Sequence, residues 1–245
     1  MRFICEGGVV FAYNRPRDPS RIELGNSMDK SKLNLLIESP PKLHFWGGEW
    51  RVGGLGPNQI RLVERAVQGL GDSIRVIETG AGLSTLVFLA LGARVLSLFT
   101  KNDLHERIDK AIQEFELPSA EWQYVLGRSE FTFPKYLCDH PETASDLVLI
   151  DGGHLIHTVF TDFTYAFASL KQGGILLLDD LRLSSVGLLY QMLKASNFVE
   201  EVDVAGKTAA FRKTVKVQFP VSWGDVHLGG APLADLRASG VGVSP

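Results

Sequence analysis

The chain has 245 residues, room for one large α/β domain or two small ones, and its 45% hydrophobic and 22% charged content predicts a packed core. Its 25 basic and 28 acidic residues leave a net charge of −3. With no basic run either, there is no electrostatic case for a nucleic-acid partner, and no apolar run approaches the roughly 18–20 residues that span a bilayer.

The N-terminus carries Arg2, Glu6 and a short apolar stretch over 9–13, without the longer apolar region and cleavage site of a signal peptide. Cys5 and Cys138 are the only cysteines, which excludes a disulfide framework or a Cys-based zinc site and reads as a reducing, cytoplasmic setting. Residues 1–56 read as an irregular cap or lid segment with scattered aromatics. His44, Trp46 and Trp50 either close over a ligand or simply pack on the domain. Gly56-Pro57 then reads as a helix start, with Ile60, Val63, Val67 and Leu70 following at helical spacing.

From residue 74 the pattern alternates. Apolar strands are predicted over 74–78, 94–99, 122–126, 146–151 and 175–179. The intervening helices carry Leu104, Ile108, Ile112 and Phe115, then a weaker segment near 130–138, then Phe160, Phe163, Phe167 and Leu170, then Val186, Leu189 and Leu193. Such alternation implies a parallel sheet covered by helices on both faces, with every strand's carboxyl end on one edge. Residues 198–204 and 208–213 form a closing hairpin around Ala205-Gly206, giving seven strands in a domain over 57–213. Residues 214–245 are weakly periodic and read as a surface tail or an arm exchanged in a homo-oligomer.

The most informative segment is Glu78-Thr79-Gly80-Ala81-Gly82-Leu83-Ser84-Thr85. It combines a strand ending in an acid, a Gly-rich turn and a helix start. Open α/β sheets bind ligands at such an edge, where backbone N–H groups and the helix N-terminus face the ligand. Two further strands end in acids, at Asp151 and at Asp179-Asp180. A crossover of 179 − 151 = 28 residues joins neighbouring strands, so these carboxylates crowd together. Crowded carboxylates repel, and some must protonate or share a cation. Hard oxygen donors without cysteine favour Mg²⁺, Ca²⁺ or Mn²⁺. Two bland readings stand beside this: Asp179-Asp180 can cap the next helix, and His154 can cap a helix or bond a carbonyl.

The pattern E-x-G-x-G-x-S, with its acid on the first strand, resembles motif I of class I S-adenosylmethionine-dependent methyltransferases. The run Ile150-Asp151-Gly152-Gly153-His154, followed by Leu178-Asp179-Asp180, is similar to the branch with macrocin-type sugar O-methyltransferases. The resemblance covers roughly residues 57–213. It implies a Rossmann-like class I fold and S-adenosylmethionine held by Glu78, Gly80, Ala81, Gly82, Ser84, Thr85 and Asp151. It further implies Mg²⁺ or another divalent cation on Asp151, Asp179 and Asp180, with His154 as general base aided by Asp151. The reaction implied is O-methylation of a small hydroxylated acceptor, a sugar or natural product.

The chain departs from the pattern twice. Phe99 stands where an acid would hold the ribose hydroxyls, so that either Asp103 substitutes from the loop or ribose recognition is weaker. Gly127-Arg128-Ser129 replaces a Gly-Asp-Ser near the adenine, so a backbone carbonyl would have to accept the adenine amino proton. Rival readings are a methyltransferase-like binding protein without turnover and a nicotinamide-dependent oxidoreductase. Thr85, in place of a third glycine, and Phe99 argue against the latter.

Overall fold

The computed structural model describes residues 3–5, 9–11, 28–71, 73–101 and 103–216, with the first two segments described as backbone only. They form a small antiparallel ladder, Phe3–Cys5 with Val9–Phe11. The rest is organised by one seven-stranded sheet. Its strands are β1 (Arg75–Thr79), β2 (Arg94–Phe99), β3 (Trp122–Leu126), β4 (Ser145–Ile150), β5 (Leu170–Leu178), β6 (Val199–Ala205) and β7 (Thr208–Lys213).

Their order across the sheet is β6-β7-β5-β4-β1-β2-β3. The first five strands run parallel, and β7 enters antiparallel beside β5, with β6 outside it. This is the mixed sheet with a closing hairpin that the sequence predicts.

The helices are α1 (Lys30–Glu38), α2 (Pro57–Gln68), α3 (Leu83–Ala90), α4 (Leu104–Glu114), α5 (Ser129–Asp139), α6 (Ile156–Ser169) and α7 (Ser184–Lys194). Alternation along the strands decides which helix each residue meets. Val76, Val95, Leu147, Leu149, Ile175 and Leu177 join the core under α1–α4. Ile77, Leu96, Val148, Ile150, Leu176 and Leu178 join the core under α5–α7. None of the described helices is long and apolar enough to cross a membrane.

Two expectations change. Residues 1–56 are not wholly irregular. The Asp29 carboxylate accepts from the N–H groups of Ser31 and Lys32 and starts α1, which buries Leu33 and Leu36. His44–Trp46 pairs with Glu49–Arg51 in a hairpin turned by Gly47-Gly48. Leu170 does not close the face of α6. The helix ends at Ser169 and Leu170 already pairs with Ser145, making β5 longer than read. The proposed tail or arm lies outside the described residues beyond Val215 and Lys216.

Register sets up the site. Thr79 pairs with Ile150, and Ile150 pairs with Leu178. The next residues, Gly80, Asp151 and Asp179, therefore leave the sheet side by side along one edge.

Candidate active site

The Gly-rich turn rests on a buried acid. Glu78 is fully buried beneath it and accepts from Ser84 Oγ at 2.6 Å, Ser97 Oγ at 2.6 Å and the Thr85 hydroxyl. Thr85 Oγ1 in turn accepts from the Gly82 N–H at 3.1 Å. Burial pushes the Glu78 carboxyl up to about 7, against the three hydroxyl bonds that favour its charge. Neither Glu78 nor Thr85 lies on the cavity wall above. In this structure they shape the turn from below, and Ser84 alone of the three hydroxyl donors also reaches the cavity.

This has a consequence for stability. The folded chain holds a proton on Glu78 that the unfolded chain releases near the ordinary value of 4.5. The contribution is present below that pH and is lost as pH rises through about 7, with a slope of up to about 1.4 kcal/mol per pH unit. Glu78→Gln should flatten that decline, read as denaturation midpoints across the window. An unchanged slope would place the proton elsewhere, with Asp162 the next acid to test since burial lifts it also to about 7.

A cavity of about 630 Å³ opens at the carboxyl edge. Gly80, Ala81, Gly82 and Ser84 form one wall. Phe99 and Lys101 line the wall where the second strand ends, whereas Asp103 is turned away, mostly exposed and paired with Arg107 Nη1 at 2.5 Å. Among the described residues, no acid of β2 or of the loop after it therefore stands on this wall. Gly127, Arg128 and Ser129 line the next wall, with Ser129 Oγ donating to Asp162 Oδ2 at 2.8 Å. Asp162 was not singled out from the sequence, although an acid set among Phe160, Phe163 and Phe167 on α6 was its signal.

The hairpin completes the enclosure. His44 and Trp46 line the cavity. His44 Nε2 lies 2.7 Å from where a Cβ on Gly82 would stand. Burial, then the charges of Lys101 and Arg107, push His44 below the usual histidine range. Trp50 instead packs on the domain beneath Arg107, 5.2 Å from the guanidinium carbon, while Arg107 Nε donates to the Leu43 carbonyl at 2.7 Å. The aromatic cluster is thus divided, with His44 and Trp46 on the cavity wall and Trp50 packed against Arg107.

The carboxylates gather at the far end. Asp151 and His154 line the cavity with Asp180, and His154 Nε2 stands 3.2 Å from Asp180 Oδ2. Ser185 Oγ donates to the His154 carbonyl at 2.5 Å and fixes that loop to α7. Asp180 sits in the left-handed region at φ 62°, a conformation Asp tolerates better than most residues. Burial and the neighbouring Asp179 hold Asp151 well above the carboxylate range, with Lys207 opposing them.

Asp179 is fully buried off the cavity wall. Its Oδ2 accepts from Lys207 Nζ at 2.6 Å and its Oδ1 accepts from the Thr208 hydroxyl. Lys207 Nζ also donates to Asp180 Oδ1 at 2.7 Å. Burial works against the Lys207 ammonium, but the bonds and charges of both aspartates outweigh it and raise the lysine above its ordinary value. Asp151, His154 and Asp180 offer ligand atoms within 4.8 Å of one another, a set that contains His154 in place of Asp179. Lys207 escaped the sequence reading. Its signal was the register of the last hairpin: Ala209 pairs with Leu178, which brings Thr208 and Lys207 beside Asp179.

Residues 77–181 match the family model of a methyltransferase domain. A comparison with curated proteins gives no match. Among solved structures, the apo form of CalS11, a TDP-rhamnose 3'-O-methyltransferase of calicheamicin biosynthesis, is similar at a TM-score of 0.51 and 16% identity, over 63% of this chain and 76% of that one. An O-methyltransferase from Bacillus cereus in complex with SAH is similar at a TM-score of 0.56 and 16% identity, over 75% and 91%. MycE of the mycinamycin pathway, with Mg and SAH, is similar at 0.51 and 16%, over 90% of this chain but 61% of its own length. Over those residues the chain is thus similar to a methyltransferase domain. Its fold is the one these O-methyltransferases share.

Proposed function

We propose that this protein transfers a methyl group from S-adenosylmethionine to a hydroxyl of a small molecule, with His154 as the base. The observation that carries the reading is a single cavity whose wall includes both the Gly80–Ser84 turn and the His154–Asp180 pair. A cofactor carboxylate at the N–H groups of the turn and α3 would direct its sulfonium methyl along the cavity. The chemistry is an in-line displacement. The acceptor O–H gives its proton to His154, oxygen bonds the methyl carbon, and the C–S pair returns to sulfur, leaving neutral S-adenosylhomocysteine. With its Nε2–H donating to Asp180, His154 carries the lone pair on its other ring nitrogen, and the imidazolium that forms is stabilised by that carboxylate.

The domain limits proposed are 57–213 for the catalytic unit, with the His44–Arg51 hairpin as its cap. CalS11 is a TDP-rhamnose 3'-O-methyltransferase, and a sugar or similar polyol is the acceptor class proposed here. A divalent ion on Asp151, Asp179 and Asp180 does not fit these side chains, because both Asp179 oxygens and one of Asp180 already accept from Lys207 and Thr208.

Calorimetric titration of S-adenosylhomocysteine tests the reading. Binding at about micromolar Kd, with no binding of NAD(H), is expected. A panel of hydroxylated acceptors with labelled donor then reads transfer. Absence of S-adenosylhomocysteine binding would sink the proposal and point to Phe99 and Arg128 as the disabling changes.

A further inference from the structure

Asp179 and Asp180 follow β5 beside Asp151 at the end of β4, and this chain brings its own counter-charge to the pair. Lys207 Nζ lies 2.6 Å from Asp179 Oδ2 and 2.7 Å from Asp180 Oδ1. The other two oxygens of the pair are also engaged, by the Thr208 hydroxyl and by His154 Nε2 at 3.2 Å.

The lysine is anchored by its backbone as well. Its carbonyl accepts from the Leu181 N–H at 2.9 Å, tying the β6–β7 turn to the loop after β5. Gly206 before it takes φ 62°, and a Cβ there would meet the Gln59 amide nitrogen at 2.8 Å. The anchored turn and the two aspartates therefore hold the ammonium between them. An ammonium has three N–H donors, and two are accounted for. Lys207 also lines the cavity that holds His154.

We propose that the Lys207 ammonium is the resident cation of this site: it bridges the aspartate pair, excludes a divalent ion from it, and offers its third N–H to the acceptor oxygen while His154 takes the proton. The inference rests on the methyl-transfer reading above and deepens it. The lysine stays an ammonium throughout; the proton leaves the acceptor for His154 and the methyl leaves sulfur for oxygen. The donor helps the developing alkoxide, the task a metal performs in sites that hold one.

The test uses Mn²⁺ alone as probe, followed by electron paramagnetic resonance, on the full chain and on Lys207→Met and Lys207→Arg. Wild type is expected to bind Mn²⁺ no tighter than about millimolar. Its turnover should be the same in EDTA as with Mg²⁺. Lys207→Met uncovers the aspartates and should bind Mn²⁺ about tenfold tighter or better, losing about 100-fold in turnover. Lys207→Arg keeps the charge and should keep Mn²⁺ out.

Stoichiometric Mn²⁺ binding to wild type would overturn the proposal, as would a folded Lys207→Met that gains no affinity. If Lys207→Met does not fold, wild type and Lys207→Arg still decide: metal binding to either overturns it and exclusion by both supports it. Loss of S-adenosylhomocysteine binding, by contrast, would remove the methyl-transfer reading and leave the metal result standing.

Discussion

Replacing His154 with alanine lowers turnover about 100- to 10,000-fold while S-adenosylhomocysteine affinity stays within about twofold of wild type. The split follows from where the residue sits. His154 lies at the Asp180 end of the cavity, and the turn that would receive the cofactor is built from Gly80 to Ser84 on a different strand end. Loss of a base removes an interaction needed only as the proton moves, so kcat falls and cofactor binding does not. Asp180→Asn is the graded companion. It keeps the shape but removes the charge that stabilises the imidazolium, and should cost about tenfold or more in kcat. Turnover retained within about threefold by His154→Ala would assign the proton to another group.

The fold was legible because its signals are local and repeat. Val76-Ile77, Leu147–Ile150 and Ile175–Leu178 are apolar on both faces, as strands buried between two helix layers must be, and each is followed by a helix of matching period. The partners of the strand-end acids were less legible. Asp151 and Asp179 could be placed at one edge from strand order alone. What sits between them comes from β7, whose antiparallel register beside β5 no local pattern announces. Lys207 is therefore invisible until the hairpin is docked. Asp103 fails in the opposite way: sequence distance made it a substitute for the missing ribose acid, but Arg107 one turn on takes its carboxylate. The His44–Arg51 hairpin was hidden because its strands are three residues each, too short for an alternation to register.

Gly80→Ala should be the most damaging small substitution in the domain, destabilising it by about 2–5 kcal/mol and abolishing S-adenosylhomocysteine binding. Two costs add. Gly80 holds φ 92°, where an L side chain is strained, and a Cβ there would stand 2.4 Å from the Asp151 carbonyl oxygen. That oxygen cannot swing aside as a side chain would. Asp151 N–H donates to the Thr79 carbonyl at 3.0 Å, and Gly80 N–H donates to the Leu98 carbonyl at 2.8 Å, so three strand ends are stitched together at this point. Relief of the clash must part β1 from β4, which separates the Gly-rich turn from Asp151 and the His154 loop. The loss should appear as a fall in Tm of roughly 5–15 °C. Gly71→Ala is the control, because Gly71 holds φ 88° with nothing within 4 Å of its Cβ position. It carries the conformational cost without the collision, about 1 kcal/mol, and should bind S-adenosylhomocysteine as wild type does. If Gly80→Ala lowers Tm but leaves that affinity intact, the contact between the turn and Asp151 serves only the sheet, and the cofactor site must be sought on the Phe99 and Arg128 walls instead.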